Sequence, residues 1–405
     1  MEPTIGDHLA RIRRQSGLTQ EQLAERSGIS VEVIQKLEQG RRKGARIPTL
    51  NRLARALRVP TSVLFGDTSS AAAERDPDAQ PLSLVGVRRA LTPVAGLDGD
   101  GIDGGQADVP IASAARRAVN DATRSYYADD YATTLSALPA LLAQVRALVD
   151  TADGDDQLTA HAIAAEAHQV AGQLLIQLRQ VDLAHVAIST AVDHARRTGA
   201  QTIGASVICS MAWLLMRQGR FAEAERLAVR TADQVEPRLS TASTDELSAW
   251  GWLLLRAAAA ASRDARDDDA AEVLSLAAAG ARRLDGRPLT LGEFGAGEVR
   301  VMQVETAVIA RDPGRALSLS EGMTEPPLVA PWSWKRHRLD VAWSRVQLGQ
   351  YADATGVLMD LRDRAPTWLR HQRYARDIVQ SISERRRRAM STELAELASL
   401  VGYTP

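Results

Sequence analysis

Residues 18–40 read LTQEQLAERSGISVEVIQKLEQG, and this stretch decides the fold of the N-terminal part of the chain. Thr19 is a good N-cap for a helix, and Gln22, three residues later, can complete a capping box by bonding back to the cap. Leu18 before the cap and Leu23 four residues after it can pack together as a hydrophobic staple. The stretch therefore predicts a short helix that begins directly after Thr19.

The same arrangement recurs at Ser30. This residue is predicted to cap a second helix, with Ile29 stapled onto Ile34. Gly28 lies between the two helices and supplies the positive φ that a tight turn needs. Two short helices across a sharp turn form a helix-turn-helix unit, whose second helix enters the DNA major groove. The sequence therefore predicts a head that reads DNA.

The residues around this unit predict a five-helix bundle over residues 1–66. The first helix is expected over residues 5–16, the fourth from Thr49 to Leu57, and a last turn over residues 61–65. Residues 1–66 carry 12 Lys and Arg against 6 Asp and Glu, whereas the remainder carries 37 against 44. A basic head on an acidic body is typical of a protein whose N-terminal part meets phosphate.

The run from Leu18 to Arg41, followed by Leu53-Ala54 and Ala56-Leu57, resembles the XRE family of regulators, typified by the lambdoid phage repressors and Cro. The resemblance implies that Gln20 touches phosphate and the outermost bases. It implies a DNA-reading face on the second helix of the unit, formed by Ser30, Val31, Glu32, Gln35 and Lys36. It also implies a loop that grips the DNA backbone, formed by Arg41, Arg42, Lys43 and Arg46, from which Arg46 reaches towards a narrow minor groove.

Some of these roles also follow from the residue types. Arg13 and Glu38 match a buried ion pair of the family, and Glu38, beside Leu37 near the apolar seam, needs such a partner. Val31 can contact a thymine methyl, and Glu32 can accept from cytosine N4. Glu32 also repels phosphate, so the alternative is that it only stabilises its own helix against the dipole. For the whole head, the alternative is a bundle used for protein contacts alone.

Residues 67–110 are rich in Ala, Asp, Gly, Pro and Ser, which predicts a flexible connector with one amphipathic piece over residues 82–91. Residues 98–105 read DGDGIDGG and suggest a calcium loop, but Ile102 stands where a third ligand belongs. The seven histidines give no metal or catalytic pattern, and the sequence has no nucleophile elbow or phosphate-binding loop. We therefore expect no metal, no cofactor and no enzyme activity.

The body, residues 111–405, contains an internal repeat. Gly219-x-Phe221-x-x-Ala224 is matched by Gly349-x-Tyr351-x-x-Ala354. This order resembles the tetratricopeptide (TPR) repeat, in which a small residue permits the turn, an aromatic ring seals it and alanine lets the two helices approach. Weaker copies place a first turn at Tyr131 and the alanine at Ala184, Ala271 and Ala316. The pattern predicts an all-α protein whose body is a degenerate TPR-like α-solenoid, with capping helices after Trp368.

The first helix of each pair forms the concave face of such a solenoid. By repeat register, this face carries amide, aromatic and charged side chains, namely Glu166, Gln169, Gln173, Gln177, Trp213, Arg217, Glu305, Trp343 and Gln347. Such side chains could clamp a peptide backbone or a flat small molecule. The alternative is that the tryptophans are core residues and the glutamines are solvated.

Head and body together resemble bacterial regulators that join an XRE domain to TPR repeats, including the peptide-sensing quorum regulators. The resemblance implies a homodimer held by the repeats and a peptide or small-molecule signal. Cys209 is the sole cysteine, so no internal disulfide is possible, which favours the reducing cytoplasm. No apolar run in the sequence approaches membrane-spanning length, and we expect no membrane partner. The prediction is a cytoplasmic, homodimeric transcriptional regulator of double-stranded DNA; the alternative is an interaction scaffold or an antitoxin-like partner protein.

Overall fold

The computed structural model describes residues 5–15, 18–41, 45, 47–57, 84–94, 111–284, 294–323, 330–385 and 390–404. These residues form helices and turns and contain no strand, which confirms the predicted all-α class. The chain divides into two compact units, residues 1–83 and residues 84–405. We call them the head and the body, and each is described by itself.

Four helices form the described part of the head: α1 (Ile5–Gln15), α2 (Gln20–Ser27), α3 (Val31–Glu38) and α4 (Ile47–Ala56). Their apolar faces meet in one core, in which the most deeply buried side chains are those of Leu9, Leu23, Ile34, Leu37, Leu50 and Leu53. The last turn predicted over residues 61–65 lies outside the described residues. The bundle thus holds α2 and α3 against α1 and α4.

The turn between α2 and α3 forms as predicted, with one difference. The Thr19 hydroxyl accepts from the Gln22 backbone N–H at 3.1 Å, and the Gln22 side chain accepts from the Thr19 N–H at 2.9 Å. Gly28 ends α2 in the left-handed region, with φ 65°. Ser30 stands at the N-cap position of α3, but its side chain makes no capping hydrogen bond. The Ser30 carbonyl instead begins the helix by accepting from the N–H of Ile34 at 3.3 Å, so the predicted side-chain cap is wrong.

The body begins with α5 (Val85–Leu91) and continues as six helix pairs. The pairs are α6 (Ala112–Tyr127) with α7 (Tyr131–Thr151), α8 (Gly154–Gln177) with α9 (Val181–Thr198), α10 (Gln201–Arg217) with α11 (Phe221–Gln234), α12 (Thr244–Arg263) with α13 (Asp267–Arg282), α14 (Ala296–Ile309) with α15 (Pro313–Ser320), and α16 (Pro331–Gln347) with α17 (Tyr351–Arg364). Three more helices follow: α18 (Pro366–Arg370), α19 (Arg373–Arg385) and α20 (Thr392–Leu400). This succession of pairs is the predicted helical solenoid.

All six pairs turn in the same way. The turn contains one left-handed residue in each pair: Asp129, Arg179, Gly219, Ala265, Arg311 and Gly349. The next residue donates its backbone N–H to the carbonyl five positions back, as in the 3.0 Å bond from Arg266 to Ala261. Five positions after the left-handed residue stands a small buried side chain, which in the fourth pair is Ala270. The predicted Ala271 is exposed, so that part of the repeat register was wrong by one residue.

Helix α5 packs on the body although it lies within the predicted connector. It contacts α7 and α9, and the Arg146 guanidinium on α7 donates to the Ala90 carbonyl. The compact unit therefore begins near residue 84, whereas the sequence placed the start of the body at residue 111. Of the predicted connector, the structure describes residues 84–94, and the remaining connector residues lie outside the described part of the chain.

Helix α7 is long and apolar enough to cross a membrane, the one described helix that passes this test. The expectation from the sequence that no apolar run approaches membrane-spanning length is therefore wrong for this helix. Its buried face, which includes Leu138, Leu142 and Val145, packs against α6 and α8. Because core helices pass the same test of length and composition, the result is weak evidence for a membrane span.

The last helix pairs contact the first ones. The Lys335 ammonium at the start of α16 bonds the carboxylate of Asp129, in the turn after α6, at 2.5 Å. The ring of Trp332 stacks on that of Tyr127, with 4.6 Å between centroids. The Gln372 amide donates to Gln177 of α8 at 3.2 Å. The solenoid therefore curls back on itself around a central cavity.

Candidate DNA-binding surface and body cavity

Helix α3 has one buried and one exposed face. Ile34 and Leu37 are buried in the head core, whereas Glu32, Gln35 and Lys36 are exposed. Ser30 is exposed as well, and Val31 is half-buried. The residues predicted from the sequence to contact DNA bases therefore share the outer side of α3. Such a face offers amide, carboxylate and ammonium groups of the kind that read base edges.

Two charged residues of this face bind each other. The Lys36 ammonium contacts the Glu32 carboxylate at 2.6 Å, one helical turn away, and both side chains are exposed. The hydrogen bond from Lys36 lowers the pKa of Glu32. The negative charge that Glu32 would present to phosphate is thus partly compensated within α3.

Glu38 ties three helices of the head together. The Arg13 guanidinium on α1 donates from Nε to Oε1 and from Nη2 to Oε2 of Glu38, each at 2.8 Å. A third Arg13 nitrogen donates to the Leu18 carbonyl at 2.8 Å. The Gln20 amide at the start of α2 donates to Glu38 at 2.7 Å. The expected ion pair is therefore present, and it also holds Gln20, which the sequence assigned to phosphate contact.

The backbone-gripping loop is described only in part. Arg41 directly follows α3 and the turn at Gly40, and its side chain is exposed. Arg42, Lys43 and Arg46 lie outside the described residues. Their assignment to DNA contact therefore stays a prediction.

The body encloses a cavity of about 840 Å³. Most of its wall comes from the first helices of the six pairs, α6, α8, α10, α12, α14 and α16, as expected for a concave face. Seven of the nine residues proposed from the repeat register line it: Glu166, Gln169, Gln173, Gln177, Trp213, Arg217 and Glu305. The volume is within the range of sites for drug-sized ligands.

Trp343 and Gln347 do not line the cavity, so their assignment to its wall was wrong. The ring of Trp343 contacts that of Tyr374, with 6.1 Å between centroids, and Tyr374 itself lines the cavity. Gln347 is exposed at the last position of α16. The repeat register correctly identified α16 as an inner helix. Only the first turns of α16, which contain Trp332 and Arg336, line the cavity.

A repeated pair of residues on the inner helices was not predicted from the sequence. A tryptophan is followed four residues later by an arginine on α10, α12 and α16, and all six residues line the cavity: Trp213 and Arg217, Trp252 and Arg256, Trp332 and Arg336. In the first two pairs the guanidinium carbon lies 5.8 Å from the centre of the indole ring. A search for this four-residue spacing would have found the three pairs, together with a fourth, Trp334 and Arg338, that does not line the cavity.

The glutamines of α8 form hydrogen bonds with other residues that line the cavity. The Gln169 amide donates to the Ser206 carbonyl at 2.9 Å and to the Ser210 hydroxyl at 3.0 Å. The Gln173 amide donates to the same Ser210 hydroxyl at 3.0 Å. Gln177 accepts from Gln372, as described above. These amides therefore bond to other residues of the wall.

One acidic residue holds two of the cavity arginines. Glu305 is buried, and its carboxylate contacts the guanidinium of Arg263 at 2.5 Å and that of Arg336 at 3.4 Å. Burial favours the neutral acid, but these two guanidinium groups outweigh it and hold the pKa of Glu305 below its usual value. Arg336 also lies 3.6 Å from the buried Asp340. Arg263 and Arg336 are thus compensated by carboxylates.

Of the three other arginines that line the cavity, Arg373 lies 3.9 Å from Asp377, whereas Arg217 and Arg256 form no ion pair with a carboxylate among the described residues. Burial, followed by the nearby charges of Arg336 and Arg263, lowers the pKa of Arg217 to about 10. The Arg256 Nε atom is buried without a hydrogen-bond partner. Arg256 interacts with Glu298, but burial raises the pKa of Glu298 to about 7, so that this acid is only partly charged at neutral pH. Two guanidinium groups thus leave an excess of positive charge at the cavity wall.

Within the described residues, no group of three or more His, Cys, Asp or Glu side chains could hold a metal ion. Cys209 lines the cavity as a free thiol, and burial raises its pKa to about 12. The chemistry offered by the cavity wall is therefore that of aromatic rings and guanidinium groups.

A protein-family model described as a helix-turn-helix domain matches residues 4–64. An uncharacterised HTH-type transcriptional regulator of Sinorhizobium fredii is 48% identical over 59 residues, which are 15% of this chain and 75% of that relative. Bacillus thuringiensis PlcR, solved in complex with the peptide PapR7 and DNA, covers 79% of this chain and 95% of its own, at 12% identity and a TM-score of 0.36. A mutant of PrgX covers 99% of this chain and 97% of its own, at 11% identity and a TM-score of 0.29.

Proposed function

Because this chain belongs to the helix-turn-helix transcriptional regulators, we propose that it regulates transcription by binding a double-stranded DNA operator as a homodimer. In this proposal α3 enters the major groove, and the body binds a peptide or small-molecule signal in its cavity. The protein then acts in the cytoplasm, where the operator is accessible.

The observation that carries the DNA-binding part is the outer face of α3. Gln35 and Lys36 are adjacent and exposed there, and the other face of the helix is fixed by Ile34 and Leu37. A rigid helix that presents an amide and an ammonium group can hydrogen-bond to base edges. Arg41, exposed just beyond α3, supports backbone contact, which gives affinity without sequence information.

The cavity supports the sensing part of the proposal. It is formed by six helix pairs that curl back on themselves, so a ligand in it contacts helices distant in sequence. If such a ligand changes the affinity for DNA, the operator must change the affinity for the ligand by the same factor.

The DNA-binding proposal is tested by band shifts with an operator selected from random-sequence DNA. We expect Gln35→Ala and Lys36→Ala to relax sequence preference, each at a cost of about 1–3 kcal/mol on the operator. Arg41→Ala should weaken binding to operator and unrelated DNA about equally. Gln234→Ala, on an exposed position of α11, is the control. Wild-type operator affinity in both α3 variants would show that this face does not read bases.

Two further measurements address the partner and the signal. Sedimentation with and without operator should show a dimer on DNA; a single monomer per operator would contradict the proposed assembly. Native mass spectrometry of protein purified gently from its host should show mass beyond that of the denatured chain. A bare native chain would argue that the body does not retain a signal.

A further inference from the structure

We infer that the body cavity binds an organic anion with a flat aromatic or apolar body, its ring against the Trp252 and Trp332 wall and its anionic group on Arg217 and Arg256. This inference rests on the proposed sensing function and names the chemical class of the ligand. It also chooses between the two kinds of signal that the sequence left open, because it favours a small molecule over a peptide.

The apolar half of the site is an aromatic wall. Trp332 stacks on Tyr127 with 4.6 Å between ring centroids and 22° between planes. The ring of Trp332 also contacts that of Trp252, with 6.4 Å between centroids. All three rings line the cavity and are only partly buried. Flat rings stack on such surfaces, which favours a planar apolar ligand over an aliphatic chain.

The charged half adjoins this wall. The Arg256 guanidinium carbon lies 5.8 Å from the centre of the Trp252 ring, so a ligand ring on the wall can extend an anionic group to Arg256. Arg217 brings a second guanidinium that forms no ion pair with a carboxylate among the described residues, whereas its neighbours Arg263 and Arg336 are paired with Glu305. Guanidinium groups bind carboxylate, sulfonate and phosphate groups with paired, charge-assisted hydrogen bonds.

The remaining carboxylates of the wall do not neutralise this charge. Glu166 pairs with Arg116, and Asp377 lies 3.9 Å from Arg373 on α19. Asp245 is the second residue of α12, eleven positions before Arg256, which places it about 16 Å away along the helix. An incoming anion therefore meets positive charge next to the aromatic wall.

A peptide backbone fits this wall less well. Peptide recognition needs side chains that can both donate to carbonyls and accept from N–H groups along an extended chain. The α8 amides have that chemistry, but Gln169 and Gln173 donate to Ser206 and Ser210, and Gln177 accepts from Gln372. The guanidinium groups that remain only donate, so they select a ligand rich in acceptors.

The test compares two fluorescent probes with the purified full-length chain. Anilinonaphthalene sulfonate and phenylnaphthylamine have the same ring system, but only the first carries an anion. We expect the sulfonate to bind about tenfold more tightly or better, although the neutral probe is the more apolar of the two. Competition by naphthoate and by naphthyl phosphate then distinguishes a carboxylate from a phosphate as the preferred anionic group.

Variants locate the binding. Arg217→Gln and Arg256→Gln should each reduce the preference for the sulfonate several-fold, and the double variant should abolish it while phenylnaphthylamine binding stays. Arg226→Gln combined with Arg230→Gln removes the same charge from exposed positions of α11 and should change nothing. Because the double variant could lose its fold, the single Arg217→Gln variant, which keeps Arg256 with its buried Nε atom in place, provides the same comparison with less disturbance.

The outcomes separate the inference from the function it rests on. Equal affinity for the two probes, or a preference that survives both arginine substitutions, overturns the anion inference but leaves a ligand-binding cavity. Displacement of neither probe by the naphthyl anions, but displacement by a short uncharged peptide, also overturns it. Failure of both probes to bind overturns the anion inference together with the proposed sensing role of the body.

Discussion

Lys335 and Asp129 bind each other across 206 positions of the sequence, with 2.5 Å between Nζ and Oδ2. Both side chains are largely buried, at 12% and 16% exposure. Asp129 sits in the left-handed turn between α6 and α7, and Lys335 is the fifth residue of α16. This ion pair, which joins the first and last helix pairs, therefore stabilises the ring that encloses the cavity.

Loss of one partner of this pair should be costly. Lys335→Met leaves the Asp129 carboxylate largely buried without its cation, and we expect the free energy of unfolding to fall by about 2–3 kcal/mol. The double variant with Asp129→Asn removes both charges and should recover most of the loss, because Asn also tolerates the left-handed turn. Urea unfolding of both variants measures the difference; equal stability of the single and double variants would mean that the buried charge is not the cause.

Gly6 is needed for the close approach of α1 to α3. A Cβ atom at this position would lie 1.9 Å from the Leu37 carbonyl oxygen, which belongs to backbone and cannot rotate away. We expect Gly6→Ala to displace α1 from α3, to destabilise the head by about 1–3 kcal/mol, and to weaken operator binding.

The matched control for this prediction is Gly204→Ala in α10, where a Cβ atom meets nothing within 4 Å. There the substitution should stabilise the helix by up to about 1 kcal/mol, since alanine is the better helix former. Thermal unfolding followed by circular dichroism checks both variants. A Gly6→Ala head as stable as wild type would contradict the close packing of the two helices.

The six equivalent turns predict opposite effects of opposite substitutions. Ala265 has φ 57° and Gly219 has φ 76° at corresponding positions. Because a Cβ atom is unfavourable in this region, Ala265→Gly should stabilise the body and Gly219→Ala should destabilise it, each by about 1 kcal/mol. Chemical unfolding of the two variants provides the measurement. A stability change of the same sign in both would refute the equivalence of the turns.

Three histidines between α8 and α9 make the body sensitive to acid. The Nδ1 atoms of His161 and His194 are 2.9 Å apart, and the ring of His168 lies 5.4 Å from that of His194. Burial, followed by the neighbouring His168, His161 and Arg197, lowers the pKa of His194 to about 4. The pKa values of His161 and His168 are lowered as well, chiefly by burial.

The direction of the pH dependence follows from these pKa values. Well above pH 6.5 these histidines are neutral in both the folded and the unfolded chain, so they do not make stability depend on pH there. As the pH falls from 6.5 towards 4, His194 becomes protonated in the unfolded chain but stays neutral in the folded chain. The free energy of unfolding therefore falls by about 1 kcal/mol per pH unit for this one group. Urea midpoints measured between pH 8 and pH 5 should fall less steeply for His194→Gln than for wild type; parallel curves would contradict this assignment.

The local rules of helix capping were sufficient to predict most of the helix boundaries in the described part of the head. The Thr19 box and the Gly28 turn depend on neighbours within four residues, and both formed as predicted. The side-chain cap at Ser30 failed because backbone hydrogen bonds alone begin α3. The adjacent Ala270 and Ala271 could not be distinguished, since the repeat spacing varies and only packing decides which alanine is buried.

The cavity could be predicted in part. The repeat register placed Glu166 and Gln169 on its wall, because inner helices follow from the order of the pairs. The register could not say where along α16 the wall ends, so Trp343 was misassigned. The bond between Lys335 and Asp129, like the stack of Trp332 on Tyr127, joins distant parts of the sequence, and no pattern within one helix reports such a contact.

The seven tryptophans, four of which line the cavity, also allow the body to be observed separately from the head by spectroscopy. All seven lie between residues 213 and 368, and the six tyrosines begin at residue 126, so residues 1–83 contain neither. Tryptophan emission therefore follows the unfolding of the body alone, while far-ultraviolet circular dichroism follows every helix of the chain. Coincident midpoints from the two signals would mean that head and body unfold as one cooperative unit, and separate midpoints would give each unit its own stability from one titration.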